Sequence, residues 1–166
     1  MVSPVSPTRK PPVRAQRRAR RENDHAEALD GQEAAIGENT ELVRKLIDAY
    51  NRRDVPALIA VCDSEVVFTS LMQGLEPRTY RGFGGALRYV ETLTDAFEDL
   101  QLEPEELREV GDRVVGLGRM RGRGRESGAE VEREWAAVYA LRDGKLVWSG
   151  VYPTRHEALQ AVGLDG

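Results

Sequence analysis

The chain has 166 residues, 40% of them hydrophobic and 31% charged, with 24 Lys and Arg against 28 Asp and Glu. That length suits one domain with an ordinary core, and no run of about 18 apolar residues is present to cross a membrane as a helix. One cysteine, Cys62, excludes an intrachain disulfide; with only two histidines a Cys/His zinc site is excluded as well.

Charge is distributed unevenly. Residues 1–21 carry seven bases, Arg9 to Arg21, and no acid, whereas residues 22–38 carry six acids and no Lys or Arg. The remainder is mildly acidic, a poor footprint for nucleic acid. Pro4, Pro7, Pro11 and Pro12 and the scarcity of large apolar side chains predict a disordered, charged tail over residues 1–38, with a transient helix around 13–30. No apolar stretch follows the arginines, so they do not form a secretory signal. A lone thiol fits a reducing compartment, and a cytoplasmic location is expected.

Beyond the tail, Leu42, Val43, Leu46, Ile47 and Tyr50 form one apolar helical face, which Asn39 or Thr40 can cap. Asp54 can cap a second, short helix with Pro56 in its first turn. Cys62 falls at the end of its apolar run and reads as core filler. Val66 to Thr69 is β-rich. Gly82, Gly84 and Gly85 read as a loop before a third helix bearing Ala86, Val90, Leu93 and Phe97 on one face.

Four strands are then expected. Residues 100–110, interrupted by Pro104, predict a short, bulged or edge strand. Gly111-Asp112 is a turn signal, and Val114, Val115 and Leu117 open the next strand. Gly122, Gly124, Ser127 and Gly128 mark a longer loop, and Glu130 to Leu141 a long strand. Asp143-Gly144 is a two-residue hairpin turn before the last strand, Leu146 to Tyr152. Thr154 and Glu157 make a capping box for a final short helix, with Gly163 placed for its C-terminal cap.

Helices cluster early and strands late, so the expected class is α+β: a curved antiparallel sheet packed against three N-terminal helices, with a short C-terminal helix. Within 134–141 both parities are apolar, so both faces of the sheet need cover. The expectation is helices on the concave face and a second copy of the chain on the other.

Leu46-Ile47-Asp48-Ala49-Tyr50-Asn51 through Asp54, the strand entry from Asp63 to Thr69, Tyr80-Arg81-Gly82 and Asp143-Gly144-Lys145-Leu146-Val147 occur in an order that resembles the SnoaL-like, ketosteroid-isomerase-like branch of the nuclear transport factor 2-like superfamily. The resemblance covers residues 39–163. It implies a cone-shaped α+β domain, usually dimeric through its sheet, with a pocket at its open end. Members include isomerases, cyclases, epoxide hydrolases, dehydratases and binding proteins, so the fold does not fix a reaction. The positions matching the steroid isomerases' carboxylate base and two acidic donors fall near Thr69, Leu46 and Ala136, none of which can do that work.

The residues themselves suggest a modest set of site groups. Glu134 shares a strand face with Ala136 and Val138; on a concave face it becomes a general base or an anchor. On the other face it is a surface carboxylate paired with Arg119 or Arg121. Arg119, Arg121, Arg123 and Arg125 point one way, either as a clamp for an anion or as a charged strand edge. Tyr50, Thr69, Arg119, Trp135, Trp148 and Tyr152 are the candidate ligand-binding residues, and His156 reads as a surface residue. No phosphate loop, nucleophile motif, metal cluster or cofactor site is expected. The expected ligand is a small, largely apolar organic molecule in a pocket of several hundred cubic ångströms. The alternatives are a dimerisation or partner-binding module without chemistry, and an isomerase, dehydratase or epoxide-hydrolase-like enzyme built on Glu134.

Overall fold

The computed structural model describes residues 37–70 and 78–165. The expected tail therefore lies outside the described residues, except for residues 37 and 38, which are helical.

Helix α1 occupies residues 37–51 and helix α2 Val55–Ala60. Strands β1, Cys62–Ser70, and β2, Arg78–Arg81, form a hairpin that leads into helix α3, Gly82–Ala96. Strands β3 (Phe97–Val110), β4 (Arg113–Gly124), β5 (Glu130–Arg142) and β6 (Lys145–Tyr152) follow as a meander, and helix α4, Arg155–Ala161, closes the described chain.

The six strands make one curved, unclosed sheet in the order β2-β1-β6-β5-β4-β3. Every junction is antiparallel except β1 with β6, which run parallel because the meander brings the last strand back beside the first. Strand β3 is an edge strand with register shifts at Glu98/Gln101 and Pro104/Glu106. The bulges fall where Pro104 cannot donate to the ladder, but at 14 residues the strand is long rather than short.

Several local signals act as their chemistry requires. The Asp54 carboxylate accepts from the Ala57 amide at 3.1 Å and caps α2. Thr154 accepts from the Glu157 amide at 3.2 Å and caps α4. Asp143 and Gly144, at φ 53° and 71°, turn the β5–β6 hairpin.

Others differ. Asn39 and Thr40 lie inside α1, not at its start; the Asn39 amide instead donates to Glu109 on β3 at 2.7 Å. Gly82, Gly84 and Gly85 are the first turn of α3, not a loop. The reason is close approach: a Cβ on Gly85 would stand 2.8 Å from the Tyr80 carbonyl carbon. Phe97 leaves the helix to begin β3. Gly122 and Gly124 belong to β4, so the β4–β5 connection is shorter than expected.

The sheet divides the core in two. On the concave face, Val43, Leu46, Ile47 and Tyr50 of α1, Leu58 of α2 and Ala86 and Val90 of α3 pack onto Phe68, Trp135, Ala137 and Tyr139. On the convex face, Ala158 and Leu159 of α4 cover Val115, Leu117, Ala136 and Val138. The apolar outer parity of β4 and β5 is thus covered at least in part by the chain's own last helix.

Candidate functional site

Strand parity decides what enters the concave side. Trp135, Ala137 and Tyr139 of β5 face the helices, so Glu134 and Ala136 must face outward. Between sheet and helices lies a cavity of about 60 Å³. Helix α1 contributes Leu46, Ile47 and Tyr50; α3 contributes Tyr89 and Leu93; the sheet contributes Phe68, Leu100, Met120, Trp135, Tyr139 and Ser149 among others. The volume is far below the several hundred cubic ångströms expected, because Trp135 and the three tyrosines project into the hollow.

No Asp, Glu, Lys, Arg or His is among the described residues that line this space. Its polar groups are hydroxyls and one indole N–H. Phe68 stacks on Tyr89 at 5.3 Å between ring centroids, and Trp135 and Tyr139 sit 6.5 Å apart. Burial pushes the Tyr50 phenol up to about 12, against a small opposing pull from Arg53. Burial also raises Tyr89, with the neighbouring Tyr50 and Tyr80 adding to it. Burial also holds Tyr139 well above the ordinary phenol range, helped by Tyr89 and Tyr50. All three phenols are therefore neutral at neutral pH, able to donate or accept a hydrogen bond but not to act as bases.

The frame around Tyr50 is fixed by hydrogen bonds. Arg53, in the left-handed region at φ 57°, lays its guanidinium 5.2 Å from the Tyr50 ring centroid. Its two terminal nitrogens donate to the carbonyls of Tyr50 and Leu100, each at 3.1 Å. Asn51 accepts from the Leu102 amide at 2.8 Å and donates to the Leu102 carbonyl at 2.9 Å, so its side chain mimics a neighbouring strand at the edge of β3. These contacts tie the end of α1 to the strand that carries Leu100 and Leu102.

Of the residues singled out from sequence, Tyr50 and Trp135 line the cavity together. The others lie elsewhere. Thr69 is half-buried on β1, beside the cavity-lining Phe68. Trp148 and Tyr152 pack with the outer cluster under α4. Arg119 is on the outer face, bonded to Glu132 at 2.6 Å and to Glu105 at 3.3 Å. Glu134 is exposed on the same face, 3.4 Å from Arg155. Of its two expected placements it takes the surface one, with Arg155 as its partner rather than Arg119 or Arg121.

The arginine run is likewise external: Arg121 pairs with Glu103 and Glu132, Arg123 with Glu130, and Arg125 with Glu98. These exposed pairs blunt the surface and contribute little stability each. Of the three positions aligned with the steroid isomerase acids, Leu46 faces the cavity, while Thr69 and Ala136 yield that place to Phe68 and Trp135. None of the five is acidic. Cys62 is buried, donates to the Leu58 carbonyl at 3.2 Å and has its thiol pushed up to about 12 by burial, which leaves it unreactive.

Tyr89, Met120, Tyr139 and Ser149 were missed. Tyr139 shares the parity of Trp135, and Ser149 shares that of Val147 and Val151, so alternation held both. Tyr89 lies three residues after Ala86 and four before Leu93, on the helix face already identified.

A curved open sheet closed by three helices over a neutral, aromatic cavity is an α+β architecture consistent with the NTF2-like fold. The chain belongs to the SnoaL-like domain family, whose model matches residues 43–149. Solved structures agree on the fold. An NTF2-like protein of unknown function from Burkholderia pseudomallei K96243 is 23% identical, with a TM-score of 0.64 over 76% of this chain and 98% of that one. A putative polyketide cyclase from Xanthomonas campestris pv. campestris is 21% identical, with a TM-score of 0.60 over 76% and 98%. A protein with a ketosteroid isomerase-like fold from Catenulispora acidiphila DSM 44928, in complex with trimethylamine, is 15% identical, with a TM-score of 0.62 over 75% and 93%. No curated protein matches the chain significantly.

Proposed function

We propose that this SnoaL-like domain binds a small, largely apolar, uncharged organic molecule on the concave side of its sheet. One observation carries the reading: the space between sheet and helices is lined by apolar and aromatic side chains, and none of the described lining residues carries a charge. The putative polyketide cyclase among the similar structures accords with a small-molecule guest. If a reaction occurs here, the neutral tyrosine hydroxyls serve as hydrogen-bond donors to a developing negative charge. Glu134 takes no part in such a reaction. The lone buried Cys62 accords with a cytoplasmic protein.

The test is a thermal-shift panel of small neutral and small ionised organic molecules, run on the parent and on Leu93→Trp. Leu93 is half-buried at the cavity wall, so a larger side chain can fill the space from its exposed side. Neutral compounds raise the melting temperature of the parent and not of the variant. Shifts that survive in Leu93→Trp, or shifts from ionised compounds alone, contradict the reading.

A second reading, pairing of two copies through the sheet, draws on the half-buried Trp148 and Tyr152 beside α4 on the convex face. Light scattering after size exclusion tests it: a dimer that Trp148→Glu dissociates supports it, and a monomer at micromolar concentration removes it.

A further inference from the structure

Trp135 stands where the cavity would otherwise continue. Its indole lies over Gly116 of β4, where a Cβ would be 2.8 Å from the ring. The bare backbone at 116 is the depression into which the indole sinks, and the ring is 3% exposed. With the indole seated, the space between sheet and helices is about 60 Å³. That is well short of the roughly 150 Å³ engineered cavity that accepts benzene. The wall can give at two places only modestly. Met120 is unbranched with three rotatable bonds, and Leu93 is partly exposed. Small outward shifts of these two admit one ring; a second ring would have to occupy the place of the indole.

Deepening the reading above and resting on it, we infer that Trp135 sets the size limit of the cavity, and that its guest is a neutral molecule of one ring at most. Such a guest carries a single hydroxyl or carbonyl oxygen for the Tyr89, Tyr139 and Ser149 hydroxyls. A carboxylate is rejected because none of the described lining residues carries a charge to pair with it. Trp135 acts here as a specificity-determining residue.

Calorimetric titration of the full chain with phenol, benzoate and 2-naphthol tests this on the parent, Trp135→Ala and Trp135→Leu, with circular dichroism confirming that each variant is folded. The leucine variant keeps apolar bulk in case the alanine variant does not fold. The parent binds phenol at least about tenfold more tightly than benzoate or 2-naphthol, and the variants gain at least about tenfold in 2-naphthol affinity. A parent that binds 2-naphthol as tightly as phenol overturns the size limit while leaving the cavity reading intact. So do folded variants that bind phenol yet still exclude 2-naphthol. Equal binding of benzoate and phenol overturns the neutrality. If no probe binds the parent or any variant, both the inference and the reading beneath it fall.

Discussion

Raising the pH should unfold this domain earlier than its surface charges alone would. Tyr50, Cys62, Tyr89 and Tyr139 are all neutral when protonated, and burial raises each of them in the folded state. The folded chain therefore keeps protons that the unfolded chain releases. Their contribution to stability is complete below about pH 9 and is lost as the pH climbs toward the folded values. For Tyr50, moved from 10.0 to about 12, the unfolded state at about pH 11 is favoured about tenfold, or roughly 1 kcal/mol. For Cys62, moved from 9.0 to about 12, the same pH costs roughly 3 kcal/mol. Tyr89 and Tyr139 act with the same sign. Two groups alone thus remove about 4 kcal/mol from a domain whose whole stability is on the order of 5–15 kcal/mol. Urea denaturation followed by circular dichroism between about pH 8 and 11 measures the loss, while tyrosinate absorbance reports which phenols have ionised. Cys62→Ala should flatten the profile by about 3 kcal/mol over that range, although it lowers stability at neutral pH. Retention of the fold above about pH 11, with every tyrosine ionising reversibly near 10, would refute the argument. It would mean that the cavity phenols are solvated and that the hollow is wet.

Three further outcomes follow from the placement of side chains and glycines. Glu134→Gln should leave small-molecule binding unchanged and alter stability by no more than about 0.5 kcal/mol, since its partner Arg155 lies on the exposed convex face; calorimetry showing lost binding would return Glu134 to the site. Gly118→Ala should destabilise by about 3 kcal/mol, because its Cβ would meet the backbone carbonyl oxygen of Glu103 at 2.1 Å and force β3 from β4. Gly84→Ala in α3 meets nothing within 4 Å and should stabilise by up to about 1 kcal/mol; thermal denaturation of the pair separates close approach from helix propensity.

The elements were largely legible because local chemistry and tertiary packing agree over most of the chain. Asp54, the Asp143-Gly144 pair and the Thr154/Glu157 box each fix a boundary by a short-range contact. The glycines at the start of α3 misled because their reason is packing and not turn propensity: Gly85 makes room for the backbone of Tyr80, five residues earlier on β2. The site was less legible for a related reason. Alternation sorts Trp135 and Glu134 onto opposite faces but does not say which face is concave. The short α4 settles that by covering the Ala136 and Val138 side, and its choice of face depends on contacts across β4 and β5. Cavity size was misjudged because fold resemblance conveys the hollow, whereas Trp135 and three tyrosines decide how much of it stays empty.

The most direct measurement is a phenol titration of the labelled full-length protein followed by two-dimensional NMR. Chemical-shift changes should concentrate on the Trp135 indole, the Met120 methyl and the Tyr139 ring, and leave Trp148, Glu134 and α4 still. Changes centred on the convex face, or spread evenly over the surface, would contradict a guest held between the sheet and its three helices.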